Sequence, residues 1–300
     1  MAIVFHNVTH AYQAGSMLEE TALQNISFSL DSGSFTALIG PSGSGKSTLI
    51  QHCNGLLLPT SGQVHVMDFT LEPNQKTKGL RELRKRIGLV FQFPEHQLFA
   101  ETVEQEITFG PKNFGATKEE ALGLAKQALH QLDLDESILN KNPFQLSGGQ
   151  MRKVAIASIL AMDPDILILD EPTATLDPVS RRELLSLLHR LCKEQGKTIL
   201  LVTHRLDEVL AYADKVMVLK DGRLAFHGTT EELSNQSSMF SDLRIRIPSM
   251  LRLQQAYRRR FPGHPLPTDQ SAEGWAKHLG EQIALCKMSN GKEEAGEELC

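Results

Sequence analysis

Cysteine is scarce in this chain of 300 residues, and the four present follow no pattern. Cys53, Cys192, Cys286 and Cys300 form no C-x-x-C pair and no His/Cys cluster at zinc spacing. That sets aside a zinc site or a disulfide scaffold and leaves free thiols in a reducing cytosol as the expectation. Long apolar runs are missing too. "VAIASILAM" and "TILLVT" are core-sized, well short of the roughly 18–20 residues that cross a bilayer. The opening "MAIVFHNVTH" has no basic stretch leading into an apolar one, so no signal peptide is expected. Positive charge is not in surplus either: 31 Lys and Arg face 36 Asp and Glu, a net charge of −5. A chain built to grip nucleic acid is more often basic. Any work at a membrane is expected to depend on other chains.

What is present is an ordinary globular composition, 41% apolar and 22% charged, long enough for one large domain or one domain plus a smaller one. Residues 2–8, 26–30 and 35–39, "QVHVM" and "RIGLVFQ" read as strands. "STLIQHCNGLL", "TVEQEITFG", "TKEEALGLAKQALHQL" and "GGQMRKVAIASILAM" read as helices, and Thr117 opens a T-x-x-E capping box. Then come strand "DILILDE", a helix stopped at Gly196, strand "KTILLVTH", helix "LDEVLAYA" and a hairpin turning at Asp221–Gly222. Alternating strands and helices with continuous apolar strands predict an α/β fold on a parallel sheet covered on both faces. The texture changes near residue 230. "SAEGWAKHLGEQIALCK" reads as one amphipathic helix, and "MSNGKEEAGEELC" as a polar, mobile tail. The expected organisation is a nucleotide-binding domain over 1–229, its helical part over about 95–161, and a C-terminal extension over 230–300.

"GPSGSGKST" fills the pattern G-x-x-x-x-G-K-[ST]. Across Gly40, Pro41, Ser42, Gly43, Ser44 and Gly45 the glycines let the backbone curl so that N–H groups, which all of these but Pro41 carry, face phosphate oxygens. The helix that follows adds the positive end of its dipole. Lys46 can reach the β- and γ-phosphates of ATP, and the Ser47 hydroxyl, beside Thr48, can ligate Mg²⁺. In "ILILDEP" an apolar strand delivers Asp170 to the sheet edge as a further Mg²⁺ ligand. Glu171 comes next and can take a proton from an attacking water.

"LSGGQ" is half of such a site. Ser147, Gly148, Gly149 and Gln150 lead into a helix start that can hold an anion, but no lysine completes it. This pentapeptide, placed between the phosphate loop and "LILDE", resembles the ABC ATPases over roughly residues 1–229. The resemblance implies a P-loop nucleotide-binding domain with a mixed sheet core, an antiparallel β part and a helical subdomain. It further implies a head-to-tail ATPase dimer in which Ser147, Gly148, Gly149, Gln150 and Asp177 meet the ATP of the partner domain. Carried over position by position, Tyr12 stacks on adenine, Gln92 touches Mg²⁺ and the attacking water, and His204 contacts the γ-phosphate. Thr175 stands where the family usually has glycine.

"FQFPEHQLFAETVEQEITFGPKNFG", residues 91–115, is similar to the ATPases of energy-coupling factor importers, and its F-P-E-x-Q-L-F wording to the second ATPase type of group II systems. That resemblance implies a heterodimer with a second ATPase, a membrane T component and a substrate-binding S component. It implies uptake of vitamins or metal ions, at the cytoplasmic face of a prokaryotic cell membrane and bound to it through partners only. Phe93, Pro94, Phe99 and Phe109 would form or support the surface that meets the T component. The C-terminal extension would help hold the dimer, with "YRRRFPG" facing solvent or lipid headgroups. Two other readings stay open: the ATPase of a conventional importer with a separate binding protein, and a nucleic-acid- or ribosome-associated ABC ATPase. The single domain, the absence of a heptad run and the acidic balance argue against the last.

Overall fold

The computed structural model describes residues 1–75, 79–174, 176–234, 249–268 and 272–294. Two strands begin the chain, β1 (Ile3–Tyr12) and β2 (Glu20–Leu30). Then follow β3 (Phe35–Ile39), α1 (Lys46–Cys53), β4 (Ser61–Val66), β5 (Phe69–Leu71), α2 (Leu80–Arg86) and β6 (Ile87–Val90). A 3₁₀ turn over Pro94–Gln97 leads to α3 (Val103–Asn113), α4 (Lys118–Gln131) and α5 (Gly148–Leu160). The last part of the first unit holds β7 (Ile166–Asp170), α6 (Pro178–Gln195), β8 (Thr198–Val202), α7 (Leu206–Val209), β9 (Lys215–Lys220), β10 (Arg223–Thr229) and α8 (Thr230–Ser234).

Strands β3, β6, β7 and β8 are buried along their whole length. They are largely apolar from end to end, rich in Ile, Leu and Val, and so belong inside a covered parallel sheet. That sheet has the order β10-β9-β3-β8-β7-β6, parallel throughout except at β10, which pairs antiparallel with β9. A second sheet, β2-β1-β4-β5, is antiparallel. One apolar cluster joins the two, with Phe5, Ile26 and Phe28 beside Leu38, Leu200 and Met217. Helices α3, α4 and α5 pack on one another as a helical subdomain.

Both opening strands are longer than expected. Asn7 adopts a left-handed conformation (φ 49) where the register of β1 shifts. Asparagine tolerates this geometry, and the bulge lets β1 continue past residue 8 to carry Tyr12. α7 is shorter than expected, because its first turn is followed only by turns.

The chain divides into two compact units, Met1–Ile247 and Pro248–Cys300. The expected boundary near 229 falls at the end of β10, and α8 still packs on β9 and β10. The second unit has α9 (Ser249–Arg260) and α10 (Ala272–Glu294). Within it Tyr257 Oη lies 2.8 Å from His278 Nε2, and the Tyr257 and Trp275 rings meet edge to face at 5.5 Å. α10 runs to Glu294, into the polar stretch expected as a mobile tail; residues 295–300, with Cys300, lie outside the described residues. Thr175 does as well. Cys53 and Cys192 are free, buried thiols, and burial pushes both up from the ordinary thiol range. No helix among the described residues is long and apolar enough to cross a membrane.

Candidate nucleotide site

Four neighbouring parallel strands end at the same sheet edge, and each delivers one piece of the predicted site. The phosphate loop leaves β3 at Gly40, Gln92 follows β6, Asp170 closes β7 with Glu171 behind it, and His204 follows β8. The carboxyl ends of parallel strands are where open α/β sheets bind ligands. These residues line one cavity of about 770 Å³ together with Tyr12, Ser42, Gly43, Gly45, Lys46, Ser47 and Thr48. Pro41 and Ser44 do not line it; they build the turn, with Ser44 N–H donating to Pro41 O at 3.3 Å.

Gly45 opens α1 at φ +97, and a Cβ there would lie 2.5 Å from the carbonyl oxygen of Ala22. Only glycine meets both demands. The loop is also walled from the far end of the chain. Gly222 N–H donates to Ser44 O at 3.2 Å, Gln24 N–H donates to Gly222 O at 2.7 Å, and a Cβ on Gly40 would strike Leu219 O. Lys46 Nζ donates to Gly40 O at 2.9 Å and Pro41 O at 2.8 Å. Burial lowers the Lys46 pKa, against the opposing pull of Glu171 and Asp170. Ser47 Oγ donates to Asp170 Oδ2 at 3.1 Å. Burial raises the Asp170 pKa and the nearby Glu171 adds to it, while Ser47 and Lys46 oppose. Hydroxyl, carboxylate and amide oxygens from Ser47, Asp170 and Gln92 are the hard donors that suit Mg²⁺, which keeps few protein ligands beside phosphates and water.

Glu171 sits at φ 49, a left-handed conformation unusual for a residue with a long side chain. Its N–H is pinned to Val202 O at 2.9 Å. The turn brings its Oε2 within 3.1 Å of His204 Nδ1. Tyr12 keeps 40% of its surface exposed, its Oη is 3.0 Å from Thr48 Oγ1, and its ring meets His10 edge to face at 4.8 Å.

The half site lies elsewhere. Ser147 caps α5 in a reciprocal box: its Oγ accepts from Gln150 N–H at 3.3 Å, and Gln150 Oε1 accepts from Ser147 N–H at 3.2 Å. Ser147, Gly148, Gly149 and Gln150 are exposed and none lines the nucleotide cavity. Ser147, Gly149 and Gln150 instead border a hollow shared with Leu176, Ser180 and Leu187. Asp177 caps α6 by accepting from Val179 N–H and Ser180 N–H at 2.9 and 3.1 Å. Hydrogen bonds from Ser180 hold its carboxyl below the usual range.

Residues 23–174 match the family model described as ABC transporter. The energy-coupling factor transporter ATP-binding protein EcfA2 of Geobacillus kaustophilus is 45% identical over 277 residues, covering 91% of this chain and 96% of that protein. The protein of the same name from Listeria monocytogenes is 47% identical over 261 residues, covering 87% and 91%. The chain belongs to the ATP-binding proteins of energy-coupling factor transporters. Solved structures agree. The cbiO1 protein of Clostridium perfringens, part of the ABC transporter complex cbiONQ, superposes with a TM-score of 0.70 at 36% identity, covering 85% of this chain and 98% of that one. A dimeric ATP-binding cassette in a post-hydrolysis state, bound to ADP and Pi, has a TM-score of 0.69 at 32% identity, covering 76% and 98%. This energy-coupling factor subunit is thus an ATP-hydrolysing transport protein.

Its distinctive 91–115 segment contains a contact that motif reading missed. Arg152, just beyond the LSGGQ turn, donates from Nε and Nη2 to Glu95 Oε2 and Oε1 at 2.9 and 2.8 Å. A signal was available: Ala155 and Ile156, three and four residues on, belong to the buried helix face, and an arginine on that face requires an acid. Pro94, Phe99 and Phe109 line a second hollow with Leu98, Ile159 and Met162. The Phe99 and Phe109 rings meet at 5.0 Å and are 62% and 50% exposed. Phe93 is not part of that lining and stacks on His96 instead.

Proposed function

We propose that this chain is the second-type ATPase of a group II energy-coupling factor importer, pairing head to tail with a different ATPase chain at the cytoplasmic face of the cell membrane. One observation carries the head-to-tail part of the reading. The phosphate loop, Gln92, Asp170, Glu171, His204 and Tyr12 converge on one cavity, while the capped, exposed start of α5 faces another hollow. A chain so arranged holds one nucleotide and offers half a phosphate site to another.

In this reading Tyr12 stacks on adenine, and the N–H groups of Gly43, Gly45 and their neighbours cradle the β- and γ-phosphates with Lys46. Ser47, Asp170 and Gln92 hold Mg²⁺, which neutralises phosphate charge when bound. Glu171 takes the proton of the attacking water, and His204 steadies Glu171 and the γ-phosphate. Ser147, Gly148, Gly149, Gln150 and Asp177 meet the partner's nucleotide. ATP closes the pair; hydrolysis and product release reopen it. The hollow beside Phe99 and Phe109 receives a helix of a membrane T component, which passes the motion to an S component that selects a vitamin or metal ion. The C-terminal unit helps hold the ATPase pair together.

Capture of the tagged chain from solubilised native membranes tests the assembly. A second, related ATPase, a T-like membrane protein and small S proteins are expected in the eluate. Two conventional permeases with a binding protein would overturn the importer type, and ribosomes would overturn transport altogether.

A further inference from the structure

Arg152 is almost completely buried, with 2% of its side chain exposed. It is joined to two further parts of the chain. Besides the paired bonds to Glu95, its Nη1 donates to the carbonyl oxygen of Pro172 at 3.2 Å. Both partners are chain neighbours of cavity residues: Glu95 lies three positions beyond Gln92, and Pro172 directly follows Glu171. Arg152 itself stands two positions beyond Gln150 on α5. One rigid, planar group therefore touches the segment after β6, the segment after β7 and the helix that opens with LSGGQ. A fork fixed by three hydrogen bonds has little slack, and pulling it from its acid would leave an unpaired buried charge. Burial raises the Glu95 pKa, but the Arg152 hydrogen bonds outweigh it and keep the carboxyl below its ordinary range.

We propose that Arg152 is a positioning residue that couples the exposed start of α5 to Gln92 and Glu171 of the same chain, so that engagement of the partner's nucleotide by Ser147–Gln150 sets the geometry of this chain's own cavity. This rests on the head-to-tail reading above. It makes the two ATP sites of the pair interdependent through a side chain that touches neither nucleotide.

The test uses the assembled transporter, with steady-state hydrolysis and equilibrium binding of an ATP analogue measured on the same preparations. Arg152→Gln is expected to lower kcat about 100-fold, the cost of a small misplacement of groups at the reacting centre. KM and analogue affinity should stay within about threefold, because binding contacts are untouched. Arg152→Lys keeps the charge without the fork and should recover about tenfold of that loss. Glu95→Gln should fall between wild type and Arg152→Gln. If Arg152→Gln does not assemble, Arg152→Lys and Glu95→Gln decide, and wild-type kcat in both overturns the proposal. So does a parallel fall of kcat, analogue affinity and melting temperature, which is what lost packing alone produces. A wild-type complex without ATPase activity, or a fully active Ser147→Ala complex, would instead overturn the head-to-tail reading itself.

Discussion

Two glycine–serine turns open helices in this chain, "GPSGSGKST" before α1 and "LSGGQ" before α5, and their surroundings differ. Gly45 is left-handed, and an added Cβ would lie 2.5 Å from a backbone oxygen; Gly148 and Gly149 have nothing within 4 Å. The first turn is walled by β2 and the β9–β10 hairpin. The second is a capped helix start at the surface. In the first, glycine answers a demand of the chain's own fold. In the second the fold makes no such demand, which supports the proposal that Gly148 and Gly149 are left open for the partner's nucleotide.

Substitutions can break or sharpen that contrast. Glu171→Gln should have the largest effect, lowering hydrolysis by about 10²–10⁴-fold while ATP binding persists and the pair stays closed, read by turnover and gel filtration. Normal turnover in an assembled Glu171→Gln complex would remove the base from the cavity. Next, Gly149→Ala should cut turnover in the complex by about 10²-fold through lost access to N–H donors. Its melting temperature should not fall, since alanine is the better helix former. Gly45→Ala must instead destabilise the isolated chain, by about 1–3 kcal/mol of backbone strain; a stable Gly45→Ala chain would erase the difference between the turns. Tyr12→Ala should raise KM for ATP by about tenfold with kcat unchanged, as expected for one lost base-stacking contact. The smallest effect is the control. Thr117 caps α4 with the same reciprocal box that Ser147 builds on α5. Either residue changed to Ala should cost about 1 kcal/mol in denaturant titration, but only Ser147→Ala should lower hydrolysis.

Legibility followed the range of the interactions. The phosphate loop, the acids at the end of β7, the Thr117 capping box and the Asp221–Gly222 hairpin are short-range patterns, readable because a few adjacent residues carry the whole chemistry. The parallel core was readable from its unbroken apolar strands. The early end expected for β1 stops just past Asn7, where a bulge shifts the register without ending the strand. α2 was not expected: its "LRELRKR" buries only Leu80 and Leu83, too few apolar positions for a period to be heard. The Arg152–Glu95 pair spans 57 positions and the Tyr12–Thr48 contact 36. Such pairs exist only once the sheets are stacked, and no local pattern announces them.

The wall behind the phosphate loop also has a consequence for how the chain comes into being. Residues 40–48 leave the ribosome early, but the backbone that braces them, Leu219 through Gly222, is made much later. β3 itself lies between β8 and β9, both late strands. Contacts this distant in sequence form slowly and only after the later segments exist. A nascent or truncated chain ending before Leu219 therefore carries a complete phosphate motif without the backbone that braces it in the finished fold.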